Sequence, residues 1–189
     1  MATTQTSKSS SSKRASSKTA SKSKSTTASK AKSAQPDAIK LLTQDHREVE
    51  KMFKDFEKAE DNRKKQQLAQ QICLALKVHT QIEEELFYPP AERAFDDEDD
   101  EMVKEAYVEH NAAKELIGEI EQMKPSDEFF DAKVKVLKEQ VEHHVEEEEK
   151  ELFPETRKTN MDLQAIGDRL AERKAELMAQ MTGGRSRAH

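Results

Sequence analysis

The chain has 189 residues, 37% of them charged and 34% hydrophobic, with four glycines and no tryptophan. That composition describes one small helical domain with wet outer faces plus extensions, and it excludes a β-sandwich. No apolar run approaches the roughly 18 residues that span a bilayer, no N-terminal apolar stretch reads as a signal peptide, and the single Cys73 cannot form an internal disulfide, which fits a reducing, cytoplasmic setting.

In chain order, residues 1–36 come first, with seven lysines, one arginine and no acid, a charge of +8. Built almost wholly from Ser, Thr, Ala and Lys, this segment cannot bury enough apolar surface to offset the entropy of ordering, so a disordered basic tail is expected. It serves as a solubilising leader or as an arm attracted to nucleic acid or another polyanion. The rest of the chain holds 24 basic and 38 acidic residues and behaves differently.

From Asp37 the apolar period becomes helical. Ile39, Leu42, His46, Val49, Phe53 and Phe56 mark a first helix over about 37–59, broken by Asp61 and Asn62. A second carries Leu68, Ile72, Ala75, His79, Ile82 and Leu86 and is expected to close at Pro89-Pro90. The acidic run DDEDDE leads to a third, with Val103, Ala106, His110, Ala113, Ile117 and Ile120. After KPSD, where Ser126 or Asp127 is the expected N-cap, a fourth helix carries Phe130, Val134, Leu137, Val141, His144, Glu148 and Leu152 and ends at Pro154. A fifth amphipathic helix over about 161–180, through Leu163, Ile166, Leu170 and Leu177, precedes a Gly183-Gly184 stop. The pattern is all-α: an up-and-down antiparallel four-helix bundle over 37–156, then a C-terminal helix and short basic tail over 157–189. The fifth helix either packs along the bundle or mediates association.

Each bundle helix puts one histidine on its inward stripe: His46, His79, His110 and His144. In HHVEEEEKELFP, residues 143–154, the adjacent histidines diverge by about 100°, so His144 faces inward with Glu148 one turn below and His143 faces out. The second helix repeats this arrangement, with His79 and Glu83 followed by an aromatic and a proline. Counting residues from the connecting loops brings the four histidines level to within about 3–6 Å. Four buried imidazoles with two buried carboxylates would be very costly without an ion. Six nitrogen and oxygen ligands without thiolate can serve two cations, with Glu83 and Glu148 central; iron suits this set better than calcium, and zinc or manganese are also compatible.

With DHREVE at 45, His79 with its EE and FYP, EH at 109–110 and His144 with its EE and FP, the sequence resembles the hemerythrin-like, HHE cation-binding family over about 38–156. The resemblance implies a four-helix bundle holding a non-haem di-iron centre. His46 and His79 would bind one iron, His110 and His144 the other, Glu83 and Glu148 would bridge, and an oxo or hydroxo bridge would accompany them. Oxygen-carrying members have a second histidine one turn from the ligand on the third helix. Here Ala106 and Lys114 stand at those places, Tyr107 and Glu109 are near, and water is the expected substitute. That argues against simple oxygen carriage and toward sensing, iron handling or reaction with O2, peroxide or NO. The ferritin-like alternative needs Glu three residues before a histidine, and Thr43, Leu76, Tyr107 and Val141 stand there instead.

Phe53, Phe56, Phe87, Tyr88, Phe130 and Phe153 are read mainly as core packing that also limits water. Asp45, Glu84, Glu109 and Glu149 could orient the imidazoles, but their reading as solvated helix-face charges is preferred. Cys73 is expected to be a small core residue. No nucleophile arrangement, phosphate loop or organic-cofactor motif is present. A nucleic-acid-associated bundle and a metal-free stress-related bundle are the competing readings.

Overall fold

A computed structural model describes residues 36–96 and 100–183. The basic tail, the centre of the acidic run and the Gly184 stop lie outside the described residues.

Helix α1 (Ala38–Glu57) opens on Asp37, whose carboxylate accepts from the Lys40 N–H at 3.0 Å. Asp61 caps α2 (Asn62–Ile82) through the Lys64 N–H at 2.8 Å. Asp61 and Asn62 therefore start the second helix rather than break the first: a short carboxylate satisfies an N–H that has no helical partner. Helix α4 (Asp100–Glu121) and α5 (Phe130–Glu147) complete the four long elements. The α5 cap differs from expectation. Asp127 turns its side chain back to accept from the Lys124 N–H at 2.8 Å, and α5 begins three residues later without a side-chain cap.

The prolines do not end their helices. After α2 the chain widens into a π turn, Glu83–Phe87, and continues as α3 (Tyr88–Ala94). After α5 a matching π turn, Glu148–Leu152, leads into α6 (Phe153–Thr156). The Tyr88 and Phe153 N–H groups donate five residues back, to Glu83 and Glu148. A proline inside an α-helix costs about 3 kcal/mol because it lacks an N–H and clashes with the carbonyl four residues earlier. The extra residue of a π turn moves those carbonyls away, so Pro89, Pro90 and Pro154 fall in the first turn of a new segment, where no N–H is required. At the second junction the Thr156 hydroxyl donates to the Leu152 carbonyl at 2.8 Å.

Cross-helix ion pairs join neighbouring helices of the bundle. Lys77 meets Glu121 at 2.6 Å between α2 and α4, and Lys138 meets Glu57 at 2.5 Å between α5 and α1. The buried apolar residues form two clusters. One, near the α1–α2 loop, holds Phe53, Phe56, Ile72, Ile117, Phe130 and Leu137, with Cys73 buried among them. The other, toward the π turns, includes Leu42, Ile82, Phe87, Val103, Leu152 and Phe153. A layer of buried polar side chains lies between them.

Helix α7 (Leu163–Gly183) packs along α1 and α2, burying Ile166, Leu170 and Leu177. It runs parallel to α1, because Gly167 lies against Pro36 and Ala38 while Lys174 reaches Asp45. This cover explains why Val78 is buried although it leaves the inward stripe of α2, on which Ala75 is only half-buried.

Gly167 sets the spacing. A Cβ there would meet the Pro36 carbonyl oxygen at 2.5 Å and the Ala38 nitrogen at 2.7 Å, whereas one at Gly118 would meet nothing within 4 Å. Gly167→Ala is expected to destabilise the chain by about 1–3 kcal/mol, and Gly118→Ala to be neutral or slightly stabilising. Urea unfolding of both decides; equal midpoints would contradict the close approach.

Candidate metal centre

The polar layer is built by the phase of the helices. His46 follows Leu42 and precedes Val49 on α1, His79 and Glu83 lie one turn apart at the end of α2, His110 faces inward on α4, and His144 and Glu148 repeat the α2 spacing on α5. All six are buried. The structure brings them together at one level. His46 Nε2 lies 3.1 Å from His79 Nε2, and His110 Nε2 lies 3.1 Å from His144 Nε2. The carboxylates span both pairs. Glu83 Oε2 is 3.2 Å from His79 and 3.5 Å from His110, and Glu148 Oε2 is 3.2 Å from His46 and 3.6 Å from His144. Two ligand groups result, His46, His79, Glu83 and Glu148, and Glu83, His110 and His144, each with atoms mutually within 4.8 Å.

Asp45, Glu84, Glu109 and Glu149 are not the solvated charges preferred from sequence. Each faces the outer nitrogen of an imidazole on another helix. His46 Nδ1 donates to Glu149 at 2.9 Å, His110 Nδ1 to Glu84 at 3.0 Å and His144 Nδ1 to Glu109 at 2.8 Å; His79 Nδ1 faces Asp45 at 3.6 Å, an ion-pair contact. Their placement is a product of packing: a residue next to the inward stripe points along the seam with the neighbouring helix. Three are held by cations, Asp45 by Lys174 of α7, Glu84 by Lys114 and Glu149 by Arg47.

Because a carboxylate only accepts, the Nδ1 atoms of His46, His110 and His144 carry protons, which leaves the inner Nε2 of each neutral imidazole with a lone pair, while His79 Nδ1 is buried without a hydrogen-bond partner. Within each pair the two Nε2 atoms face one another at 3.1 Å. Both Glu83 oxygens and Glu148 Oε2 are buried without a hydrogen-bond partner. Such an array requires positive charge at its centre. The titration shifts express the same demand. Burial, together with the charge of Glu148, raises Glu83 well above the carboxylate range. Glu148 loses solvation too, but the surrounding imidazoles, His144 first, outweigh this and hold it low. Burial pushes His79 down to about 4 against the pull of Asp45. For His144 the desolvation is overcome by Glu148 and Glu109, so its imidazole rises above 6.5.

The two halves of the centre are not equivalent. The Tyr88 hydroxyl donates to Glu148 Oε1 at 3.0 Å and lies 3.2 Å from His110 Nε2. Sequence reading places Tyr88 only in the aromatic shell. The signal was its alignment with Phe153, a phenol on one repeat opposite a plain ring on the other. Phe153 stacks on His46 with centroids 5.9 Å apart. Tyr107 packs edge-on to Tyr88, and Glu109 turns to His144, so neither fills the place considered for it. On the side of the layer toward the α1–α2 loop, Val49, Leu76, Ala113, Val141 and Val145 line an apolar cavity of about 30 Å³ against the histidines.

Comparison with known proteins agrees with this geometry. The model of the Hemerythrin HHE cation binding domain matches residues 37–156. A DNA nickase of Nostoc sp. is 34% identical over 113 residues, covering 60% of this chain and 31% of the nickase. An uncharacterized hemerythrin-like protein of Schizosaccharomyces pombe is 27% identical over 111 residues, covering 59% of this chain and 55% of that protein. The chain thus spans about a third and about half of these relatives. A solved hemerythrin HHE cation binding domain-containing protein from Mycobacterium kansasii shares the fold, with a TM-score of 0.65, 19% identity and coverage of 77% of this chain and 89% of that one. Four inward histidines, two spanning glutamates and a match over the whole bundle lead to one conclusion: the chain belongs to the hemerythrin HHE cation-binding family.

Proposed function

We propose that the chain holds a pair of non-haem iron ions in the bundle and binds, senses or reacts with O2, NO or peroxide, in iron or oxidative-stress handling. The observation that carries this reading is the two facing Nε2 pairs at 3.1 Å, spanned by carboxylate oxygens that have no hydrogen-bond partner. His46 and His79 would hold one ion, His110 and His144 the other, and Glu83 and Glu148 would join both. Iron bound there supplies redox chemistry and open positions for a small ligand. The chain's own contribution is to orient and exclude. Glu149, Glu84 and Glu109 fix the tautomers of His46, His110 and His144, and the apolar cavity of about 30 Å³ is of a size for a diatomic molecule. Tyr88 offers a hydroxyl to the His110 side, which makes that side chemically distinct.

A second reading has support of its own. The +8 charge of residues 1–36 and the similarity to a DNA nickase favour an association with nucleic acid, the metal then being structural or regulatory. A salt-dependent mobility shift with unrelated DNA, lost on deleting residues 1–36, would support it, and no shift at low salt would exclude it. Among the described residues no helix is long and apolar enough to cross a membrane.

The first reading is tested by anaerobic loading with ferrous iron, a metal count per chain and a visible spectrum before and after oxygen. Wild type is expected to hold a pair of irons and to gain a charge-transfer band with oxygen. His79→Ala and His144→Ala should each lower the count, and retention of full iron by both would remove the site. Tyr88→Phe should keep the count but move the band.

Uptake should also release protons. Glu83 and His144 have raised pKa values, so each binds a proton more tightly than the free group does, and the metal must displace it. Affinity should therefore weaken as pH falls toward and below 6.5, the ordinary histidine value. An indicator dye in weak buffer should report proton release on metal addition; identical affinity at pH 5 and pH 8 would contradict the shifts.

A further inference from the structure

His143 is the histidine the centre leaves out. It stands exposed at the seam of α4 and α5, with Nε2 3.2 Å from Glu147 and 3.8 Å from Glu109. Ligand atoms of these three residues lie mutually within 4.8 Å, an outer imidazole–carboxylate group separate from the buried ones. The groups are linked through Glu109, whose other oxygen accepts from His144 Nδ1 at 2.8 Å.

Beside this outer group a cleft of about 40 Å³ leads inward. Glu105 and Glu151 stand exposed at its rim, Glu109 and Glu147 are half-buried along it, and His144 and Glu148 are buried at its floor. Glu148, only 2% exposed, joins the cleft to the buried centre: it lines the cleft floor, and its oxygen without a hydrogen-bond partner faces His46 and His144. Among the described residues no lysine or arginine lines this cleft, whereas the groove between α1 and α5 that also reaches His46 carries Arg47 and Lys150. The corresponding places in the other half are closed. Shifting by 64 or 65 residues sets Leu41 against Glu105, Val78 against His143, Ile82 against Glu147 and Leu86 against Glu151. These apolar side chains are buried or half-buried in the core to which α7 contributes.

We propose that the α4–α5 cleft is the inlet through which divalent transition-metal cations reach the centre, and that Glu109, His143 and Glu147 form a weak outer site that receives them. The acidic rim concentrates cations from solvent. An imidazole with two carboxylates replaces part of the ion's water shell. Glu109 and Glu148 then present oxygens on either side of His144, giving a stepwise path inward. The inlet rests on the reading that the buried centre holds cations, and its test separates the two.

Metal-free full-length chain is mixed with cobalt(II) alone, the filling of the centre is followed by visible absorption, and tightly held metal is counted after gel filtration. The triple variant Glu105→Gln, Glu147→Gln, Glu151→Gln is expected to fill at least about tenfold more slowly at low salt and to reach the wild-type count. The difference should shrink in high salt, where exposed charges are screened. His143→Ala should also slow filling without changing the count. Ala106→Leu, which narrows the cleft without altering charge, should slow filling at every salt concentration. Wild-type rates in all three variants would overturn the inlet while leaving the centre intact. A reduced final count in the triple variant would overturn it by making those acids part of the centre. No tightly held cobalt in wild type would overturn the reading of the centre itself.

Discussion

The structure depends on a charge problem at its middle. Four imidazoles and two carboxylates are turned toward one another in a layer closed above and below by apolar side chains. In water such groups would be solvated; here they have only each other. The titration shifts are the metal-free answer to that problem: desolvation and the charge of Glu148 favour a proton on Glu83, and Glu148 and Glu109 favour one on His144 against its desolvation. A cation answers it better, because it satisfies lone pairs on several sides at once. Placing this layer within an otherwise apolar bundle makes cation binding and bundle stability one quantity.

Both π turns begin at the glutamates that span the two histidine pairs, Glu83 and Glu148. One extra residue there has two effects. It lets each helix pass its proline without breaking, so that the aromatics of α3 and α6 continue over the layer as a lid. It also turns the chain beyond the glutamate, where Phe87 and Tyr88 are both fully buried. The hydroxyl that distinguishes the two halves of the centre lies directly beyond this local widening.

Long-range order in this chain was legible because an α-helix returns to the same face every three to four residues. His46, His79, His110 and His144 announce the layer by sitting on stripes otherwise apolar, and Glu83 and Glu148 by following a histidine at one turn. The repeat also set His79 and Glu83 of the second helix against His144 and Glu148 of the fourth. Other features depend on geometry that no stripe encodes. Proline's tendency to stop a helix is a local rule, and at Pro89 and Pro154 it yields to a π turn that preserves packing. A residue beside a stripe, such as Asp45 or Glu149, faces solvent or a neighbouring imidazole according to how closely the next helix approaches. The side chain alone does not distinguish the two.

Helix α7 shows how an element beyond the matched family region is tied to the centre. It lies outside residues 37–156, yet Lys174 reaches Asp45, which faces His79, and Arg173 grips Glu85 beside the first π turn. Its apolar face seals the seam of α1 and α2 with Ile166, Leu170 and Leu177. The hairpin of α4 and α5 has no counterpart helix among the described residues and keeps its acids in solvent. From two nearly repeated hairpins the chain thus makes unlike halves. One is covered, with its outer carboxylate pinned by a lysine, and the other is open and acidic, with Tyr88 brought across to it. Two cations in such a centre would occupy different electrostatic surroundings, and that difference arises from where α7 packs and which repeat carries the phenol, not from the ligands themselves.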